Sequence, residues 1–250
     1  FDLTGKVALV VGATGEIGAA IAVTLGEHGA DVAIAGRKKD KLEVVADTIR
    51  SHQRETLAIT VEITDQQSVE SMVEQSLSAF SHIDILVNAA GLAIRKPADS
   101  FPIDDWQSVI DVNARGTFLS CQAVGRTMIA QGNGKIINLS SVRGRYGLPA
   151  DYAAYCASKG AVDSLTRTLA CEWAKHNVLV NALAPTIVET ELTRDALANP
   201  DYAQRMRARI PLGRWAVTED IVGPAVFLAS RASDFITGQI IYVDGGVTTW

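Results

Sequence analysis

Short apolar runs rich in β-branched residues alternate with longer amphipathic stretches along this whole chain. The first run, Val7–Val11, contains no polar residue, which is typical of a strand buried on both faces of a sheet. A Gly-rich turn follows, and then an amphipathic stretch over 17–27 that Gly29 terminates as a helix stop signal. Strands that alternate with helices in this way build a parallel sheet with helices on both faces.

The same pattern predicts the remaining elements. Further strands are predicted over 31–35, 57–63, 83–90, 135–140, 178–184 and 239–244, and helices over 41–51, 66–80, 106–130, 155–176, 196–209 and 218–230. We find no Pro/Ser-rich linker, low-complexity tract or repeat that would divide the chain. The prediction is an α/β fold: one domain over 1–250, with a Rossmann-like, doubly wound parallel sheet flanked by helices on both faces. Its ligands should bind beyond the carboxyl ends of the strands.

Composition excludes several classes of function. Lys and Arg total 23 and Asp and Glu total 28, a net charge of −5, and this argues against a nucleic-acid partner, which needs a basic surface. The chain has no apolar run near the ~20 residues of a membrane span, and its first residues lack the pattern of a signal peptide. The three cysteines form no disulfide framework, and the four histidines lack the spacing of metal ligands. We therefore expect a cytoplasmic protein that needs no metal and has no membrane partner.

The turn after the first strand reads Gly-Ala-Thr-Gly-Glu-Ile-Gly over 12–18. Glycines there let backbone N–H groups approach a pyrophosphate, and the helix N-terminus adds a favourable dipole. The turn resembles the Thr-Gly-x-x-x-Gly-x-Gly motif of the short-chain dehydrogenase/reductase family, except that Val11 replaces the Thr and Glu16 replaces the middle Gly. A carboxylate at that place repels a pyrophosphate unless Glu16 points outward. The resemblance implies cofactor contacts from Gly12, Thr14, Gly15, Ile17 and Gly18.

The end of the second strand, Ala-Gly-Arg-Lys over 35–38, bears on the choice of cofactor. An NAD site usually places an acidic residue there to bind the ribose 2′-OH, whereas this chain has Gly36 followed by Arg37. A guanidinium can pair with a 2′-phosphate through two hydrogen bonds. We predict NADP(H), with NAD(H) as the alternative. The run is also compatible with a solvated basic loop.

Other segments resemble cofactor-binding segments of the same family. Glu62 and Ile63 resemble its acidic-apolar pair at the adenine, and the segment after the fourth strand resembles its Asn-Asn-Ala-Gly motif. The segment that begins at Pro185 resembles the loop that holds the nicotinamide carboxamide. The resemblance implies cofactor contacts from Glu62, Ile63, Asn88, Ala89, Ala90, Gly91, Pro185, Val188 and Thr190.

Tyr155 and Lys159 are four residues apart, so they lie on one face of the predicted helix. A free phenol, with a pKa near ~10, is a poor acid or base at neutral pH, and a neighbouring ammonium lowers that pKa. A tyrosine positioned in this way can protonate a carbonyl oxygen, or deprotonate an alcohol in the reverse direction. Tyr155 and Lys159 are therefore predicted to act in catalysis, and the resemblance implies that both also contact the cofactor.

Ser141 follows a predicted strand 14 positions before Tyr155, near the family's spacing, and its hydroxyl can bind the substrate oxygen. Resemblance to the family's Asp-Val-Asn motif implies that Asn113 distorts the predicted long helix and that its main-chain carbonyl supports a proton relay to Lys159. A capping or turn serine and a solvent-facing asparagine are the alternatives. Matches to the family run from about residue 5 to 246, and the resemblance implies a homotetramer.

The substrate is the least constrained part of the prediction. Arg95, Arg143 and Arg145 follow strand ends and should line the mouth of the cleft, where cations suit a carboxylate or phosphate. Several stretches resemble the branch of the family that oxidises gluconate or 2-keto-3-deoxygluconate at carbon five, which implies a sugar acid. A segment over about 187–211 is expected to cover the substrate. A general carbonyl or 3-ketoacyl-thioester reductase is an alternative, and a non-catalytic dinucleotide-binding regulator is a remote one.

Overall fold

A computed structural model of the protein describes residues 1–147 and 151–249. Its strands are β1 (Val7–Val11), β2 (Asp31–Gly36), β3 (Thr56–Thr60), β4 (Ile85–Asn88), β5 (Gly134–Leu139), β6 (Val178–Pro185) and β7 (Ile240–Val243). They form one sheet in the order β3-β2-β1-β4-β5-β6-β7, and every neighbouring pair is parallel. The predicted doubly wound parallel sheet is confirmed.

Helices connect the strands and cover both faces of the sheet. They are α1 (Glu16–Glu27), α2 (Lys39–Ser51), α3 (Gln66–Phe80), α4 (Ile103–Ile110), α5 (Gly116–Gln131), α6 (Ala153–Trp173), α7 (Glu191–Leu197), α8 (Pro200–Arg207) and α9 (Thr218–Ala229). In the described ranges, no helix has both the length and the apolar character needed to cross a membrane.

Alternate residues of the strands β1 to β6 contribute to two separate apolar layers, because successive side chains of a strand point to opposite faces. Ala8 and Val10 pack with α1, α2 and α9 on one face, whereas Leu9 and Val11 pack with α3, α5 and α6 on the other. β1 is fully buried along its length, which is why its sequence is a continuous apolar run.

The predicted helix over 106–130 is interrupted. A π-helical turn at Asp111–Arg115 separates α4 from α5, and Asn113 lies inside that turn. This confirms the distortion expected at Asn113. The π turn widens the helix at the point where the Asn113 side chain must reach Leu92 and Ser158.

The predicted helix over 196–209 is wrong in its extent. α7 ends at Leu197 and α8 starts at Pro200, where the Asn199 side chain accepts a hydrogen bond from the backbone N–H of Tyr202. A proline is well placed in the first turn of a helix but disfavours helical backbone in the residue before it, so the chain breaks there. The helix predicted over 218–230 begins at the predicted residue and ends one residue earlier, at Ala229. The carboxylate of Asp220 accepts from the backbone N–H of Val217, so Thr218 is the first helical residue.

Candidate active site

The strand order reverses direction between β1 and β4, and the predicted site residues gather beyond the carboxyl ends of these two strands. The turn after β1 packs directly on the chain that leaves β4. Gly12 has a φ of +89°, and a Cβ there would lie 2.3 Å from the backbone nitrogen of Ala90. A Cβ at Gly18 would lie 2.4 Å from the carbonyl oxygen of Gly12. Only glycine fits these two positions, and the result is a cradle made of backbone.

The N-terminus of α1 opens onto this cradle. Gly15 is its N-cap, and no side chain of a described residue caps it. Uncapped N–H groups at a helix start bind anions such as a pyrophosphate. The backbone cradle leaves room for a dinucleotide, and the free N–H groups of the helix end can donate hydrogen bonds to its pyrophosphate.

Glu16 is turned away from the cradle, as a pyrophosphate site requires. Its carboxylate accepts hydrogen bonds from the backbone N–H of Glu191, at 3.1 Å, and from the guanidinium of Arg194, at 3.5 Å. Glu191 in turn pairs with Lys41 of α2 at 3.1 Å. The residue that departs from the family motif thus links the Gly-rich turn to α7.

The end of β2 has little room for the acidic side chain of an NAD site. A Cβ at Gly36 would lie 2.7 Å from the methyl carbon of Thr14. Arg37 follows, is exposed, and forms no ion pair with any residue in the described ranges. Its guanidinium is thus available to an anionic group at this strand end.

Three predicted cofactor residues direct their side chains elsewhere. The Asn88 amide donates to Asn138 Oδ1 at 2.9 Å inside the sheet, and Ile63 packs beneath Gly116. Glu62 folds back onto Thr64, from which it accepts two hydrogen bonds. Cofactor contacts from these three positions stay a prediction. Gly12 packs against the backbone of Ala89 and Ala90, and Gly91 is the next residue of that segment.

The segment after β6 lies across the same end of the sheet. Pro185 is buried at the strand end, and its carbonyl faces the Ser141 hydroxyl at 3.4 Å. Val188 is buried and bridges to Ala216, and the hydroxyl of Thr190 meets that of Thr193. The three predicted residues are therefore brought to the cleft.

Tyr155 lies near the start of α6 and is half-buried. Burial raises the pKa of Tyr155 to about 12, and a hydrogen bond with Ser141 acts in the opposite direction. Burial outweighs the other influences, so the phenol keeps its proton at neutral pH. The structure therefore brings Ser141 and Tyr155 together. Lowering of this pKa by Lys159 stays a prediction.

Lys159 lies one turn further along α6 and is 4% exposed. Its ammonium donates to the carbonyl of Leu139 at 2.6 Å and lies 5.6 Å from the centroid of the Tyr155 ring. Burial lowers the pKa of Lys159 to about 8, while the neighbouring Asp163 raises it. A Cβ at Gly91 would be 3.9 Å from the ammonium, so this group faces the end of β4.

Asn113 ties three segments together. Its amide donates to the carbonyl of Leu92 and to the hydroxyl of Ser158, both at 2.9 Å, and its Oδ1 accepts from the N–H of Leu92 at 2.7 Å. Its main-chain carbonyl accepts from Thr117 at 2.7 Å. The role of that carbonyl in a proton relay stays a prediction.

Two of the three predicted substrate arginines converge. The guanidinium carbons of Arg95 and Arg143 lie 5.0 and 5.7 Å from the centroid of the Tyr152 ring, and that ring lies 5.8 Å from the ring of Tyr155. Nη1 of Arg143 is buried without a hydrogen-bond partner in 1–147 or 151–249. Arg145 instead stacks on Tyr242, 5.4 Å away, and borders a separate cavity of about 650 Å³.

Sequence reasoning missed Tyr152 and Asp163. Tyr152 precedes Tyr155 by less than one helical turn, and this spacing was the available signal. Asp163 lies eight residues after Tyr155, and this helical spacing was the available signal. In the described part of the chain, His, Cys, Asp and Glu form no group of three that could hold a metal ion.

The fold and the site define the class of protein. The model of a family described as enoyl-(acyl carrier protein) reductase matches residues 12–248. The chain therefore belongs to the short-chain dehydrogenase/reductase family and is an oxidoreductase.

Several relatives cover nearly the whole chain. It is 40% identical over 248 residues to an NAD-dependent glycerol dehydrogenase of Listeria innocua, and 38% identical over 248 residues to a gluconate 5-dehydrogenase of Gluconobacter oxydans. Each alignment covers 99% of this chain and 96% of the relative. A gluconate 5-dehydrogenase of Burkholderia cenocepacia, solved in complex with NADP and tartrate, superposes with a TM-score of 0.95 at 38% identity, covering 100% of this chain and 97% of that one. The expected resemblance to gluconate 5-dehydrogenases is confirmed.

Proposed function

We propose that the protein transfers a hydride between NADP(H) and a sugar acid, interconverting a carbonyl and a secondary alcohol. When bound, the nicotinamide supplies or accepts the hydride. In the reducing direction, Tyr155 gives its phenolic proton to the substrate oxygen as the carbonyl carbon becomes an alcohol carbon. Ser141 donates a hydrogen bond to the same oxygen. Lys159 holds the ribose, and the Asn113 carbonyl supports the return of a proton toward Lys159.

The observation that carries this proposal is the pair of guanidinium groups beside Tyr155. Arg95 and Arg143 both lie over the ring of Tyr152, which touches the tyrosine of the reaction. Neither forms an ion pair within 1–147 or 151–249, and one nitrogen of Arg143 is a buried donor without an acceptor there. A buried N–H donor without an acceptor is costly unless an anion accepts its hydrogen bond. A carboxylate on the substrate would do so.

The relatives support the same substrate class. One relative is named gluconate 5-dehydrogenase, and the solved one holds tartrate, a hydroxy diacid, together with NADP. A second candidate is a neutral polyol, because another relative of similar identity is a glycerol dehydrogenase. Gly36 and the exposed Arg37 favour NADP(H) over NAD(H), although that relative uses NAD. We also propose that the segment 187–211 covers the substrate.

Initial rates over a matched panel test the proposal. The panel pairs each cofactor, NADPH or NADH, with keto sugar acids, neutral keto sugars of the same length and simple ketones. NADP+ and NAD+ are paired with the corresponding acids and polyols. We expect kcat/KM to be highest for NADPH with the acids. A preference for neutral polyols would contradict the sugar-acid assignment and favour a polyol as the substrate. A preference for NADH would contradict the assignment of NADP(H) as the cofactor.

Charge-removing variants test the binding of the carboxylate. Arg95→Met and Arg143→Met keep an apolar stem of similar length but remove the guanidinium. Each is expected to raise KM for acids about 10- to 100-fold, which corresponds to the ~1.5–3 kcal/mol of a charge-assisted hydrogen bond, with neutral ketones unaffected. Arg126→Met on α5, where Arg126 is exposed, is the matched control. Equal effects on acids and neutral ketones would rule out carboxylate recognition.

We also propose a homotetramer, in line with the resemblance found in the sequence. Light scattering coupled to size-exclusion chromatography measures the mass directly. Four times the 26.6 kDa chain mass is expected, and a monomer or dimer would contradict the proposal. The cytoplasmic location stays a prediction.

A further inference from the structure

A carboxylate is buried behind the reacting groups. Asp163 lies on α6 one turn after Lys159 and two turns after Tyr155, so the three side chains share one helical face. Asp163 is 4% exposed, which is unusual for an aspartate that is not paired in an ion pair or bound to metal. The roles proposed above for the active site do not use it.

Asp163 and Lys159 form hydrogen bonds with consecutive residues at the end of β5. Oδ1 of Asp163 accepts a short hydrogen bond from the hydroxyl of Ser140. The ammonium of Lys159 donates to the carbonyl of Leu139, the residue before it. Ser141, the residue after Ser140, presents its hydroxyl to Tyr155. Two neighbouring turns of one helix therefore fix the strand end that delivers Ser141 to Tyr155 on that same helix.

The turn after Ser141 packs closely against the carboxylate of Asp163. A Cβ at Gly144 would lie 2.5 Å from Oδ2 of Asp163, so a side chain at this position would collide with the carboxylate. The N–H of Gly144 donates to the carbonyl of Ser141 at 2.9 Å, closing the turn. Asp163 thus lies against the chain on both sides of Ser141, through the hydroxyl of Ser140 and at Gly144.

The charges around Asp163 are few. Among the described residues, the titratable groups that face it are Lys159 and Arg167, both on α6, while β5 and the following turn present Ser140 and Gly144. Burial raises the pKa of Asp163, and the Ser140 hydrogen bond, Arg167 and Lys159 lower it. As a carboxylate, Asp163 favours the charged form of Lys159, whose own burial opposes that form.

We propose that Asp163 is a positioning residue with two effects: it holds the strand end that presents Ser141, and its negative charge keeps Lys159 in the ammonium form. The inference deepens the proposed function, on which it rests, because it explains how a buried lysine beside the phenol of Tyr155 keeps its charge. It names no new contact to substrate or cofactor.

Asp163→Asn separates charge from shape. The amide is close in shape to the carboxylate and can still accept from Ser140, so the fold should persist. Lys159 then loses its stabilising charge, and the alkaline limb of kcat/KM for carbonyl reduction is expected to move by about 0.5–1 pH unit toward lower pH. Glu172→Gln, which removes an exposed charge from the same helix, should leave the profile in place. A profile that does not move in Asp163→Asn overturns the electrostatic effect.

Ser140→Ala tests the positional effect. It removes the hydrogen bond but leaves the carboxylate, so kcat should fall about tenfold while the alkaline limb stays within about 0.2 pH units of the wild type. Unchanged kcat in Ser140→Ala overturns this half of the proposal. Assays use whichever carbonyl substrate gives the highest wild-type rate, so failure of the sugar-acid assignment does not affect the comparison.

A readout independent of turnover completes the test. In protein labelled with 13C at the lysine ε carbon, the chemical shift of Lys159 reports its titration, and Lys159→Arg assigns the signal. We expect the midpoint to fall in Asp163→Asn and to stay unchanged in Glu172→Gln. A midpoint unchanged in Asp163→Asn would overturn the charge effect even if rates had fallen.

Discussion

Burial decides the protonation state of the reacting side chains. In the protein alone, the phenol of Tyr155 has a pKa of about 12 and the amine of Lys159 a pKa of about 8. At neutral pH the pair is therefore a neutral phenol beside an ammonium, which is the state required to protonate a carbonyl oxygen. Above pH 8 the ammonium loses its charge, and carbonyl reduction should slow.

Tyr155→Phe should abolish proton transfer without disturbing the cradle. The ring and its contact with Tyr152 are retained, but the hydroxyl that faces Ser141 is removed. We expect kcat to fall about 10²- to 10⁴-fold, the usual contribution of a general acid or base. The dissociation constant of NADPH, measured by nicotinamide fluorescence, should change less than threefold. Near-normal turnover in single-turnover assays would exclude Tyr155 as the acid.

Lys159 lowers the stability of the fold at neutral pH. Its pKa falls from 10.5 in the unfolded chain to about 8 in the native protein, so the native state disfavours the ammonium. The contribution of Lys159 to the free energy of unfolding is therefore lowest below pH 8 and rises as the pH goes from 8 to 10.5. Lys159→Met should stabilise the protein by about 1–2 kcal/mol at pH 7, even though it loses one hydrogen bond.

The check is a series of thermal unfolding curves from pH 6 to 10.5. The advantage of Lys159→Met should be constant below pH 8 and shrink above it. Lys175→Met, an exposed residue in the turn just after α6, is the control and should change stability little at any pH. A variant less stable than the wild type at pH 7 would show that the hydrogen bond to Leu139 outweighs burial of the charge.

Individual residues differ in how far the sequence alone could place them. Tyr155 and Lys159 were predictable because four residues of helical spacing bring them to one face, and Arg95 and Arg143 because they follow strand ends. The link between Asp163 and Ser140 was not predictable, because it depends on the register of α6 against the end of β5. Nor could spacing show that the side chains of Asn88 and Ile63 turn inward.

At the scale of elements, α7 is held to the Gly-rich turn by charge. Glu16 accepts from Arg194 and from the N–H of Glu191, and Glu191 pairs with Lys41. All these side chains are exposed, so each contact is weak alone and sensitive to salt. The contacts nevertheless join α1, α2 and α7, the elements that border the cradle.

Glu16→Gln should loosen α7 without unfolding the domain. The variant keeps an acceptor but removes the attraction for Arg194. Cleavage within 187–211 in limited proteolysis should become a few-fold faster, and the dissociation rate of NADPH should rise similarly. Both differences should fade near 1 M salt, where the Debye length is about 3 Å. Glu43→Gln on α2 is the control, and equal cleavage of 187–211 in the two variants would contradict the role of Glu16.

Most elements were predictable because strand and helix periodicities differ, and the bounds of β1 and α3 match in full. Two departures had local causes that periodicity does not detect. The π turn at 111–115 depends on the contacts of Asn113, and the break between α7 and α8 depends on a capped proline start. A hydrophobic pattern is detected over many residues at once, so it does not show the effect of a single residue of this kind.

At the scale of the whole molecule, one sheet separates two apolar layers. Ile34 belongs to the layer under α1, α2 and α9, and Leu86 to the layer under α3, α5 and α6. Both are fully buried, so Ile34→Ala and Leu86→Ala should each lower the free energy of unfolding by about 2–5 kcal/mol. Both variants should show one unfolding transition in calorimetry, because the strands β1 to β6 contribute to both layers. Two resolved transitions would divide the chain into separate domains.

The order in which the strands are synthesised affects how the sheet can assemble during translation. The strands β3, β2, β1 and β4 are complete by residue 88, and from there each new strand pairs with the one made just before it. The ribosome therefore releases the nucleotide-binding half of the sheet, with Ala90 already available to Gly12, before Tyr155 exists. Because chains fold from the N-terminus during translation, a nucleotide could stabilise this nascent half before the reacting residues emerge.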